Sequence, residues 1–248
     1  MQAVYRICIA VFCITIGCCV AVVMFDLYDP NQNSLVALSS VCMDMVCIII
    51  LFILISSFAF GSSGTERTTR WYACLLVGTV WALFLDFLNW AFDGALELGE
   101  LTYWFTVGSL CMGSILACIF SMYLCSYLLE MHDLVEMRMR AIVCAVLNLV
   151  SFVITFILAL TGNAFVFVDG HYVTGALYDV ITVIPVLTLL YLTCFVIKCI
   201  RQIGVHVVLA VVGYIGFMIA GALIEADYNI GTSYVAVAIA DIYIFIML

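Results

Sequence analysis

Charge is what this sequence has least of. Only 9% of its 248 residues are charged, while 68% are hydrophobic; a soluble domain carries about a quarter charged residues. Too little polar material remains to cover a surface in water, so the chain reads as an integral membrane protein. Proline is scarce too, with Pro30 and Pro185 alone, so only Pro185 interrupts an apolar run. Lysine occurs once, at Lys198 near the end of one run, which excludes a retinal-type photoreceptor with a core lysine. No CxxC pair, HExxH or GxSxG motif is present, so an intramembrane enzyme finds no support in a motif, and no cofactor or metal site is expected.

The apolar runs are continuous over about 20 residues, the length of a membrane-crossing helix, rather than the alternating ~10-residue strands of a barrel. Eight spans are predicted: Ala3–Phe25, Leu35–Phe60, Trp71–Phe92, Tyr103–Leu129, Ala141–Leu160, Ala176–Ile197, Val207–Ile224 and Ser233–Leu248. The first has no A-x-A-like cleavage site and is read as a retained helix. Thirteen cysteines all fall within or at the ends of spans, where they are expected to be reduced packing residues. Ser109, Gly113 and Ala117, like Gly216 and Ala220, repeat every four residues and are expected to allow close helix approach. Pro185 is expected to kink the sixth span.

Bases set the orientation. Arg6, Arg67, Arg70, Arg138, Arg140, Lys198 and Arg201 all fall on one side when eight helices are threaded. The positive-inside rule makes that side cytoplasmic, with both termini inside. The net charge of −9 argues against nucleic acid as a partner. The chain stops at the inner face without a polar tail, so a cytoplasmic domain is expected to follow residues 1–248 in the natural protein.

The acids within spans fall in the opposite half or near the midplane. In "LFLDFLNWAFDG", Asp86, Asn89, Trp90 and Asp93 lie at i, i+3, i+4 and i+7, one face of a helix. The same threading puts Asp44, Asp179 and Asp241 in the outer half or near the midplane, and Glu225 and Asp227 at the outer end of the seventh span. A carboxylate near the bilayer centre costs about 2.5–3.5 kcal/mol on insertion scales and should turn inward. With no Lys or Arg on that side, the choices are shared protons, hydration or a bound cation. Interhelical hydrogen-bond glue is the bland alternative. His171 is the nearest candidate cation, and Trp81, Trp90, Trp104, Tyr178, Tyr228 and Tyr234 offer an aromatic lining suited to an amine. The candidate ligand-binding set is Asp86, Asn89, Trp90, Asp93, Asp44, Asp179, Asp241, His171 and Tyr178.

Between the fifth and sixth spans, "NAFVFVDGHYVTGALYD" alternates apolar residues around Asp169-Gly170, the preferred pair of a type I′ turn. A short outer β-hairpin is expected there, Phe165–Val168 pairing with His171–Thr174 as a lid.

These residues carry a family resemblance. The stripe Asp86/Trp90/Asp93, Tyr123 and Tyr127 in "SMYLCSYLL", Asn148 in "VLNLVSF", the hairpin, Lys198 and the final helix pair resemble the multi-span N-terminal membrane module that precedes diguanylate cyclase (GGDEF) domains and some histidine kinases. Thr174 stands where a basic residue commonly precedes Gly175. The resemblance implies a bacterial inner-membrane receptor: an eight-helix sensor domain with a small outer ligand and an output domain in cis, such as a diguanylate cyclase. A pair of such chains as a homodimer also fits. A small-solute or proton-coupled transporter is the rival, although it would want broken helices and internal symmetry.

Overall fold

The computed structural model describes residues 35–61, 67–92, 99–168, 171–228 and 231–248. The first predicted span, Ala3–Phe25, lies outside them, as does Asp93. The described residues are almost wholly helical. In order come α1 (Leu35–Gly61), α2 (Arg67–Ala91), α3 (Gly99–His132), α4 (Glu136–Leu160), β1 (Phe165–Val168), β2 (His171–Thr174), α5 (Tyr178–Lys198), a single turn α6 (Ile200–Ile203), α7 (Val205–Tyr228) and α8 (Ser233–Met247).

Six of these helices are long and apolar enough to cross a membrane, and α8 is a shorter apolar helix of 15 residues. The protein is therefore a multi-pass membrane protein. Its outside fits that environment: Ile53, Met139, Leu149, Leu187, Leu209 and Ile246 are all exposed, as lipid-facing side chains are. At 34 residues α3 is about 50 Å long, well beyond a ~30 Å hydrocarbon core, and so extends outside it at one end or both.

Sequence neighbours pack in succession, α1 on α2, α2 on α3, α3 on α4, α4 on α5 and α7 on α8, while α8 also lies against α2 and α1. Thus α8 is central, and Ala238, Ala240, Asp241 and Ile244 on it are wholly buried. The core around it is close-packed from Leu75, Leu83, Leu116, Phe120, Leu124, Val211 and Tyr214. Phe120 of α3 and Tyr214 of α7 stack with ring centroids 4.0 Å apart.

The close approaches fall at glycines other than those the four-residue spacing singles out. A Cβ at Gly113 or Gly216 would meet no described atom within 4 Å. At Gly213 it would stand 2.5 Å from the Tyr243 ring, and at Gly221 2.3 Å from Cβ of Ala236. The seam between α7 and α8 is where small residues matter. Spacing alone finds a face of a helix but not which face meets a neighbour. Gly204, at φ +83°, makes the break between α6 and α7. α5 runs from Tyr178 to Lys198 with Pro185 inside it, and the Thr188 hydroxyl donates to the Pro185 carbonyl at 2.8 Å. The nine described cysteines are free.

β1 and β2 pair antiparallel, with Phe165 opposite Thr174 and Val168 opposite His171. The turn residues 169–170 lie outside the described set. At the base of the hairpin the Gly175 N–H donates to the Ala164 carbonyl at 2.8 Å, and a Cβ there would strike the Asn163 carbonyl oxygen at 2.3 Å. Phe165 is buried against Tyr103, Phe167 and Tyr172, which fixes the hairpin to one end of α3, α4 and α5.

Candidate ligand site

Antiparallel packing gathers the bases at one end of the bundle. Thr68 at the start of α2 donates to Glu130 near the end of α3, at 2.6 Å from its hydroxyl. Arg140, early in α4, lies 4.1 Å above the Phe195 ring late in α5 and donates to the Tyr191 hydroxyl at 2.6 Å. Cys125 of α3 is within electrostatic reach of both Arg67 and Arg138. Lys198 and Arg201 follow Phe195 at the end of α5. All six described Lys and Arg residues therefore stand at one end of the bundle.

Three acids gather at the other end. Asp44 of α1, Asp86 of α2 and Glu225 of α7 lie within electrostatic reach of one another. Asp44 is wholly buried, and neither of its carboxylate oxygens has a hydrogen-bond partner among the described residues. Asp86 is half-buried and hydrogen-bonded by Trp90, one turn along the same helix, and by Ser109 of α3. Glu225 accepts the backbone N–H of Ser233 at 2.9 Å, so its carboxylate sits at the N-terminus of α8, where the helix dipole favours it.

The turn before α8 closes over this group. The Gly231 N–H donates to the Ser40 hydroxyl at 3.1 Å, and a Cβ on Gly231 would stand 2.2 Å from Nε1 of Trp90 and 3.1 Å from Oδ2 of Asp86. Tyr234, in the first turn of α8, donates to the Ser109 carbonyl and lies near Asp86. From the hairpin, Tyr172 reaches its neighbour Tyr178 and comes within reach of Glu225 and Asp86. Burial, followed by the neighbouring Tyr178, pushes the Tyr172 phenol well above the ordinary tyrosine range.

Of the residues singled out by sequence, then, Asp44, Asp86, Trp90 and Tyr178 come together. Asn89 turns to α3, its carbonyl oxygen accepting the Thr106 hydroxyl at 2.5 Å. Asp241 sits deeper, in a compartment of its own: its carboxylate accepts the Thr79 hydroxyl at 2.5 Å and the Tyr214 phenol, and its backbone carbonyl accepts Tyr72 at 2.8 Å. Thr79 lies seven residues before Asp86 on α2, about 10 Å along the axis. The side chains of Asp179 and His171 lie outside the described set, as does all of Asp93.

Sequence reading passed over Ser40, Ser109, Thr79 and Tyr214 as partners. A signal existed for some of them: Tyr72, Thr79 and Asp86 recur every seven residues on α2, as Tyr234 and Asp241 do on α8. Two polar ladders at the same repeat are what two facing helices would share.

No family model, curated protein or solved structure matches this chain. The reading of the site rests on its own chemistry. Among the described residues no group of three His, Cys, Asp or Glu side chains could hold a metal ion. The cluster instead gathers three acids with no Lys or Arg beside them among the described residues, next to the rings of Trp90 and Tyr234, which suits an organic cation.

Proposed function

We propose that this protein is a membrane receptor module whose acid cluster binds a small organic cation from the extracytoplasmic side and passes the event to a cytoplasmic output domain, of which a diguanylate cyclase is the expected type. On this reading the basic end is cytoplasmic, eight helices cross the membrane with both termini inside, and the hairpin lies over the outer mouth of the site. The carrying observation is Asp44: a wholly buried carboxyl whose two oxygens have no partner among the described residues, next to two further acids. Structural glue would show the opposite, acceptors matched to donors, as the Asn89 carbonyl oxygen is to the Thr106 hydroxyl at 2.5 Å. A signalling role is supported by the position of α8, whose first turn and preceding Gly231 form one wall of the cluster. Ligand can then bias α8 by binding one helix arrangement more tightly than another.

Asp86→Asn keeps the size and hydrogen bonding of the side chain but removes its charge. It should leave thermal stability within a few degrees of the native value and weaken ethylammonium binding, measured calorimetrically in nanodiscs, by about tenfold, or 1.4 kcal/mol. Asp86→Leu should lose stability as well. Equal stability losses in both variants with undiminished binding would return Asp86 to a packing role. Uptake of labelled ethylamine into proteoliposomes would replace the receptor by a transporter.

A further inference from the structure

We propose that the acid cluster is an exchange site: it takes an ammonium ion that carries N–H groups, and Asp44 releases one proton as the ion enters. The inference rests on the ligand-binding reading above and adds its stoichiometry and the ligand's chemistry.

The three acids are not equivalent. Glu225 is committed to the Ser233 N–H at the start of α8. Asp86 already accepts from Trp90 and Ser109. Of the three, only Asp44 has both oxygens without a partner among the described residues while being wholly buried. Among the described residues, the titratable groups facing it are Asp86 from α2, Glu225 from α7 and Cys47 on its own helix, with Tyr234 of α8 beyond Asp86. None is a cation. An ionised carboxylate buried without donor or counter-charge is several kcal/mol too costly to persist. Two occupants remove that cost, a proton or a cation, and they exclude each other at the same oxygens.

The step balances without any redox partner. The O–H bond of the Asp44 carboxylic acid breaks, its proton leaves to solvent, and the carboxylate left behind is neutralised by R–NH3+. Charge inside the site is unchanged by the exchange. The N–H donors also answer the two oxygens that have no partner among the described residues, each a charge-assisted hydrogen bond. A quaternary ammonium would bring the charge but no donor, so the site should reject it.

Calorimetry on the full chain in nanodiscs, with ethylammonium chloride in buffers of equal pH and different ionisation enthalpy, tests this directly. The expected result is a heat that varies linearly with buffer ionisation enthalpy, corresponding to about one proton released. Apparent affinity should strengthen by up to tenfold per unit rise in pH, and tetramethylammonium chloride should not bind. Asp86→Asn should weaken binding yet keep the proton count, whereas Asp44→Asn, checked for helicity, should lose the proton release. Ethylammonium binding without buffer dependence overturns the exchange and leaves the receptor reading standing. Tetramethylammonium binding as tightly as ethylammonium overturns the N–H requirement, and release that survives Asp44→Asn overturns the assignment. No binding of ethylammonium to the native chain at any pH overturns the receptor reading and the exchange together.

Discussion

The two ends of the bundle treat charge in opposite ways. At the basic end, Arg140 stacks on Phe195 and donates to Tyr191, and Glu130 accepts both the hydroxyl and the backbone N–H of Thr68. Arg67, Arg138, Lys198 and Arg201 are exposed. Charges there either meet a partner or face outward. At the acidic end, Asp44 is wholly buried with no hydrogen-bond partner among the described residues, and a second and third acid stand beside it. The first pattern is what membrane proteins do to anchor themselves at an interface. The second has no structural benefit, since apolar residues would pack there without the cost of burying acceptors. That contrast is the reason to read the acidic end as a site and the basic end as an anchor.

The largest expected effect is all-or-none and concerns sidedness. Reporter fusions after Arg140 and Arg201 should report the cytoplasm, and a fusion after Asp169 the outside. An outside report at Arg140 would break the assignment of the two ends.

Next in size is Gly231→Ala. The added Cβ would stand 2.2 Å from Nε1 of Trp90, so either the indole or the turn before α8 must move. Overpacking of this kind costs about 3 kcal/mol, and the displaced Trp90 leaves Asp86 one donor short. Thermal unfolding in detergent should show a marked drop, with weakened ethylammonium binding in what remains folded. The same addition at Gly216, where no described atom lies within 4 Å, is the control.

How much of this was legible beforehand divides along the same line. Apolar runs and base positions depend on composition alone, so the described helices and the segregation of bases were readable from the chain. The strand register around Asp169-Gly170 was readable too, because alternation and turn chemistry are local. Which acids share a site was not. Asp44 and Asp241 lie nine and eight residues from the starts of their helices. Yet Asp44 meets Asp86, while Asp241 meets Thr79, a further seven residues along α2. Counting from a helix start gives depth only when helices begin at one level, and tilt and stagger are set by packing. The stripe Asp86, Asn89, Trp90 splits for a related reason. One face of a helix spans enough arc to touch two neighbours, so Asn89 turns to Thr106 while Asp86 and Trp90 face the turn before α8.

A smaller effect tests the basic end. Arg140→Ala removes a cation over a ring and a hydrogen bond at a half-exposed position, together worth about 1 kcal/mol. Stability should fall slightly and ethylammonium affinity should not change. A substantial loss of binding would mean the two ends are coupled through more than α8.

The smallest effect belongs to Tyr172, which ties the hairpin to the acid cluster. Its phenol is held well above the ordinary value, first by burial and then by Tyr178. The sign follows from linkage: a raised folded value contributes stability that is complete below the unfolded value of about 10 and is lost as pH climbs toward the folded one. Tyr172→Phe keeps the ring against Phe165 and removes the hydroxyl, so at pH 8 it should cost only about 0.5 kcal/mol for the lost hydrogen bond. Above pH 10 the native protein should lose stability by up to about 1.4 kcal/mol per unit through this one group, and the variant should not. The gap between the two melting temperatures should therefore shrink and then reverse between pH 8 and pH 11. A gap that stays constant across that range would mean the Tyr172 phenol is open to solvent and the hairpin does not cover the acidic end.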